Sequence, residues 1–189
     1  MSVVRTFIAV ECSEGVRSRA VSLIERLRPA QAKVSWVLPD NMHWTLKFLG
    51  DVDMTRTADI CQQVTDAVAG IEPFEVAAAG AGAFPTVERP RTLWIGMGEG
   101  EDEMANLSQR IDEALAGIGF SPDSRRYKAH LTIGRVRGGQ NIAELGRLVA
   151  KQSAFEGGQT FVDEVVIFSS RLERSGPIHE AFGRAPLKG

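Results

Sequence analysis

The chain writes one short strand twice. The first copy is Asn41-Met42-His43-Trp44-Thr45-Leu46-Lys47-Phe48-Leu49-Gly50, and the second is His130-Leu131-Thr132-Ile133-Gly134-Arg135-Val136. Successive side chains of a strand point to opposite faces. Alternation therefore predicts His43, Thr45 and Lys47 on one face of the first copy, with Trp44, Leu46 and Phe48 on the other. In the second copy His130 and Thr132 share a face, and Leu131 and Ile133 lie behind them. The copies are 130 − 43 = 87 positions apart, and two of the chain's three histidines occupy this His-x-Thr-aliphatic setting. A fold that honours both copies gives each strand one face for a core and one for polar chemistry.

The rest of the chain supplies that core. Residues 6–10 are β-rich and read as a first strand. Ser13 is a reasonable N-cap for a helix to Leu27, with Val16, Ala20, Ile24 and Leu27 at helical spacing and Pro29 beyond its end. Further helices are predicted through Ile60, Val64 and Val68, through Met104, Leu107, Ile111 and Leu115, and through Ile142, Leu145 and Val149. Strands are expected at 74–81, 92–96 and 161–169, with an edge strand over 178–182. The elements alternate without a long parallel βαβ rhythm, which predicts an α+β fold. The order strand, helix, motif strand, helix, strand recurs after the middle, which points to internal duplication. No low-complexity linker divides the chain, so residues 1–189 are read as a single domain.

A net charge of −2 argues against holding long nucleic acid by bulk electrostatics, and it leaves room for a small anion held by local cations. Cys12 and Cys61 match neither a zinc nor a redox spacing and read as thiols of a reducing compartment. The apolar run between Arg5 and Glu11 is too short for a signal peptide or a membrane span. These features predict a soluble, cytoplasmic protein with no membrane partner.

If a two-fold-like packing sets the motif strands side by side, two imidazoles flank one cleft, each with a threonine hydroxyl two residues along. This equipment suits phosphoryl chemistry: one imidazole takes a proton from the attacking oxygen, and the other gives one to the leaving oxygen. Thr45 and Thr132 can donate to nonbridging phosphate oxygens. Zinc is the chemical rival, but neither motif carries a carboxylate or cysteine and no His-x-x-x-His spacing exists, so no metal and no cofactor are expected. Taken singly, His43 or His130 would more often be an ordinary surface or core histidine, and each threonine a routine strand residue. The pairing in matched settings turns the balance toward catalysis. Trp44 reads as core, Arg125 and Arg126 as a solvated loop, and His179 as a surface side chain.

With these motifs the chain resembles the two-histidine (2H) phosphoesterases, and within them the bacterial RNA 2′,3′-cyclic phosphodiesterase group, which is 2′-5′ RNA ligase-like. The resemblance runs over nearly the whole chain. It includes Arg5-Thr6-Phe7-Ile8-Ala9-Val10, Trp36-Val37, both motif strands, Gly82-Ala83-Phe84-Pro85, Pro90-Arg91-Thr92-Leu93-Trp94 and Ser170-Arg171-Leu172. It implies a bilobal, internally duplicated fold with a pseudo-two-fold cleft between two antiparallel sheets flanked by helices. It also implies hydrolysis of 2′,3′-cyclic phosphates on RNA ends or nucleotides to 2′-phosphomonoesters. Separately, the chain is expected to be a monomer. By the same analogy His43 is the acid for the departing 3′ oxygen and His130 the base for water. Thr45 and Thr132 would hold the phosphate, Arg135 would neutralise it, and Phe48 and Tyr127 would wall the base-binding region. Strict alternation puts Arg135 on the face opposite His130, so this role needs a bulge or a strand end. Ala129 stands where the family usually has a proline, and His179 near a common tyrosine. Two rivals use the same residues: a 2′-5′ RNA ligase running the reaction backwards, and a nucleotide- or RNA-binding module without turnover.

Overall fold

The computed structural model describes residues 2–174 and 176–189. Its strands are β1 (Val3–Glu11), β2 (Val34–Trp36), β3 (His43–Asp53), β4 (Phe74–Pro85), β5 (Pro90–Met97), β6 (His130–Val136), β7 (Glu156–Val162), β8 (Glu164–Glu173) and β9 (Gly176–Pro186). Its helices are α1 (Glu14–Leu27), α2 (Thr57–Val68), α3 (Glu101–Ala116) and α4 (Ile142–Ala150). Ser13 caps α1, its hydroxyl accepting from Val16 N–H at 3.2 Å, and Val16, Ala20, Ile24 and Leu27 are buried along one stripe.

The strands run in the order β7-β4-β5-β6-β3-β1-β8-β9, with β2 added beside β6, and all described pairings are antiparallel. The order is a palindrome about the seam between β6 and β3: each motif strand is followed outward by three partners. The two antiparallel halves meet at one residue pair, Trp44 opposite Leu131. The connections exchange helices between the halves: α1 packs on β7 and α4 on β4, while α2 packs on β9 and α3 on β3. All four helices cover one face of the curled sheet, where Trp44, Leu46, Leu131 and Ile133 join a common core with Ile8, Val10, Ile95 and Leu107. The opposite face, not covered by the helices, carries a small buried apolar cluster of Phe7, Ala9, Val166 and Phe168 and is the open face of the sheet.

The run expected as one strand over 161–169 is divided at Asp163. β7 pairs with β4 in one half and β8 with β1 in the other, so the chain changes halves at that residue. Apolar content cannot mark such a crossing, because both strands need the same residues. The edge strand expected over 178–182 is the middle of the longer β9.

Candidate active site

The seam sets the geometry. Antiparallel pairing of Trp44 with Leu131, continued one residue each way, sets His43 beside Thr132 and Thr45 beside His130 on the open face. Directly opposed Cβ atoms lie about 5 Å apart and diagonal ones about 7–8 Å, so the two imidazoles occupy the long diagonal of a small four-residue patch. All four side chains are half-buried. Thr45 and Thr132 lie on the crossing diagonal of the same patch.

Beyond this patch the alternation fails in both copies, and for the same reason. On β1 the neighbours Ile8 and Ala9 pair with Lys47 and Thr45, which leaves Leu46 as an extra residue. The carbonyl of Leu46 accepts from the buried Ser108 hydroxyl of α3 at 3.0 Å. On β5 the neighbours Leu93 and Trp94 pair with Gly134 and Thr132, leaving Ile133 as the extra residue. Its carbonyl accepts from Val37 N–H at 2.9 Å. A bulge turns every later side chain to the other face.

The expected row of imidazole, hydroxyl and ammonium is thereby corrected. Lys47 points to the helical side, 3% exposed, and pairs with Asp112 of α3 and with Asp123 at 3.5 Å. It also donates to the Ser121 carbonyl at 3.1 Å. Phe48 moves the opposite way, onto the open face, where it is 64% exposed and lies 6.0 Å from Phe7. Arg135 follows the same rule in the second half: its neighbour Gly134 takes the covered side, where a Cβ would meet Val34 and Trp36 at 2.8–2.9 Å. Arg135 is exposed, and its charge acts on His130.

The His43 ring stacks on Phe7 at 4.7 Å and lies 6.1 Å from Phe168. Burial, together with the neighbouring His179, pushes its pKa from 6.5 down to about 4, against a backbone hydrogen bond at Asn41 that favours the charged form. His130 meets Phe84 edge-on at 5.0 Å. Burial again lowers its pKa, with further lowering from the Lys128 and Arg135 charges and opposition from a hydrogen bond to the Lys128 carbonyl. That bond, 2.8 Å from Nδ1, fixes the tautomer: a carbonyl only accepts, so Nδ1 carries the proton and Nε2 of the neutral ring keeps a free lone pair.

Tyr127 is not brought to this face. Its ring packs against the main core beside α3, in a concavity shared with Asn106, Asp112 and Asp123, and its hydroxyl is buried without a partner among the described residues. Burial and Glu101 raise its pKa. Tyr127, three positions ahead of β6 (130 − 127), thus faces the helices, and Lys128 takes the open side instead. Its ammonium lies 5.0 Å from the Trp94 ring centre and 5.5 Å from that of Phe84. Trp94 fits there because it crosses Gly82, where a Cβ would stand 2.4 Å from the indole. Lys128 and His179 were not among the expected site residues. No spacing in the chain links His179 to His43, since β9 arrives through β8 and β1.

A model of the family described as LigT-like phosphoesterases matches the chain twice, over residues 10–94 and 95–179. The chain belongs to the LigT-like phosphoesterase family. The two matches divide it where β5 passes from Trp94 to Ile95, with one motif histidine in each half. A relative from Methanothermobacter thermautotrophicus named RNA 2′,3′-cyclic phosphodiesterase is 38% identical over 93% of this chain and 95% of its own. Another of the same name, from Aeropyrum pernix, is 32% identical over 85% of this chain and 92% of its own. The crystal structure of TT0787 of Thermus thermophilus superposes with a TM-score of 0.83 over 98% of both chains at 21% identity, so the two share a fold. Among the described residues no helix is long and apolar enough to cross a membrane.

Proposed function

We propose that this LigT-like phosphoesterase hydrolyses 2′,3′-cyclic phosphates on RNA ends or nucleotides to 2′-phosphomonoesters. The observation that carries the reading is the seam register, which gathers both His-Thr pairs on one open face. The phosphate sits between the imidazoles, its nonbridging oxygens held by the hydroxyls of Thr45 and Thr132 and faced by the Arg135 cation. His130 Nε2 takes a proton from water, and the water oxygen bonds to phosphorus. The bond from phosphorus to the 3′ oxygen breaks, and His43 gives that oxygen its proton. The products are a 2′-phosphomonoester and a free 3′-hydroxyl. Burial leaves His43 by itself too weakly basic to hold a proton at neutral pH. The charge of the arriving phosphate supports the protonated form, because an opposite charge a few ångströms away favours the ion.

Phe48 is the wall for the terminal base on one side, and Lys128 and Arg135 make the other side cationic. Residues 1–189 act as one unit, and a monomer suffices, since each chain carries both halves of the site. The same reading takes the protein as cytoplasmic.

The test is product analysis with an RNA ending in a 2′,3′-cyclic phosphate, in the presence of EDTA. Wild type yields the 2′-phosphate, and His43→Ala and His130→Ala each lose at least about a hundredfold in rate. A 3′-phosphate product, or turnover that survives both substitutions, overturns the mechanism.

A further inference from the structure

His43 has a titratable neighbour that the reaction above does not use. His179 of β9 meets the His43 ring edge-on, with centroids 5.5 Å apart and planes at 82°. The same ring sets its edge against Phe7 at 4.9 Å and 78°, so Phe7 braces both imidazoles. The arrangement is tethered from a third side. Asn41 Nδ2 donates to the Pro177 carbonyl at 2.8 Å, tying the start of β9 to the turn ahead of His43. The backbone of Asn41 also bonds the His43 ring. His179 Nδ1 is buried and has no partner among the described residues, which for a native polar atom asks for an explanation.

We propose that His179 is a positioning residue of the phosphodiesterase cleft, an imidazole set crosswise to His43 that fixes the plane of that ring and, once protonated below neutral pH, opposes a second charge on it. The proposal rests on His43 serving as the acid. Two imidazoles this close do not ionise independently. His43 is the more strongly desolvated, so the first proton taken up by the pair resides on His179, and its charge opposes a second on His43. Phosphate between His43 and His130 reverses that balance. The acid is thus armed by its own substrate.

No other group facing His43 does this. On the same face β1 offers Arg5 and Glu11, and Glu11 is bonded to Arg184 of β9 at 3.0 Å. β8 offers Val166, Phe168 and Ser170, none of them charged. Across the seam lies His130, and the turn before β3 carries Asp40. Glu180, next to His179, is engaged by Arg171 at 3.1 Å.

The experiment follows the His43 ring by NMR during pH titration of the full chain, as wild type, His179→Phe and His179→Gln. It adds the pH profiles of kcat and KM on a 2′,3′-cyclic mononucleotide. The Phe variant keeps a ring against Phe7 but removes the charge, and the Gln variant removes both. We expect the His43 midpoint, about 4 in wild type, to rise by about half a pH unit or more in both variants, as unit charges 5.5 Å apart near water imply. The matching limb of the kcat profile moves with it, while inorganic phosphate raises the wild-type midpoint. A midpoint that stays fixed in both variants overturns the proposal, even if kcat falls, because lost packing alone does not move a titration. The titration needs no turnover, so inactivity of the wild type on cyclic phosphates would count against the proposed function and not against this pairing.

Discussion

Phe48 and Arg135 occupy one structural position in the two halves of the molecule. Each stands five residues after a motif histidine (48 − 43 and 135 − 130), and each is returned to the open face by an extra residue, Leu46 or Ile133. The duplication preserves the bulge and changes what the bulge presents: an exposed aromatic ring beside Phe7 in one half, a cation acting on His130 in the other. A symmetric frame thus carries an asymmetric site, suited to a ligand with a base at one end and phosphate charge at the other.

Phe48→Ala tests the aromatic side. The ring is 64% exposed, so its loss leaves folding nearly untouched. Stacking of a base on an aromatic side chain is worth about 1–3 kcal/mol. KM for a cyclic nucleotide is expected to rise about tenfold or more with kcat nearly retained. Steady-state kinetics separates the two, and an unchanged KM removes Phe48 from the binding surface.

Lys47→Ala tests the displaced ammonium. Its loss leaves Asp112, largely covered by α3 and the 121–127 segment, without its cation. Breaking a buried pair from one side costs about 3 kcal/mol or more. Urea unfolding is expected to show that loss, while kcat of the folded fraction stays close to wild type. A large fall in kcat at unchanged stability would return Lys47 to the chemistry.

Acid should destabilise the protein through its histidines. His43 titrates at about 4 when folded and near 6.5 when unfolded, so the unfolded chain binds more protons between these values. The contribution is complete above about pH 6.5 and is lost as pH falls toward 4, by up to about 3 kcal/mol. His130 and His179, also lowered by burial, act in the same direction. Urea midpoints measured from pH 7 to pH 4.5 should fall more steeply for wild type than for His43→Phe. Parallel curves would show that the ring is solvated.

Gly82→Ala tests the support of the second half. A Cβ there would stand 2.4 Å from the Trp94 ring, which in turn neighbours Phe84 and Lys128 beside His130. Overpacking of this kind costs about 1–3 kcal/mol. The expected signature is a lower Tm with altered tryptophan fluorescence, and a wild-type Tm would mean that Trp94 moves freely.

The sequence by itself determined the paired His-Thr strands, the α+β class, the duplication and the four helices, because each is written in local periodicity. Ser13 as a cap and the apolar stripe of α1 needed nothing beyond neighbouring residues. It could also state that Arg135 required a bulge, without showing one. Only the tertiary structure decided which side chains leave the alternation, since the extra residue at Leu46 is fixed by its register against β1 and by Ser108 from a distant helix. The same holds for Lys47 and Tyr127, drawn to α3, and for His179, brought to His43 across 136 residues (179 − 43) by the order of β3, β1, β8 and β9. Periodicity reports the face a residue prefers when pairing is regular. Which irregularity a strand adopts depends on partners far away in the chain, and those partners place the charges and rings around the two histidines.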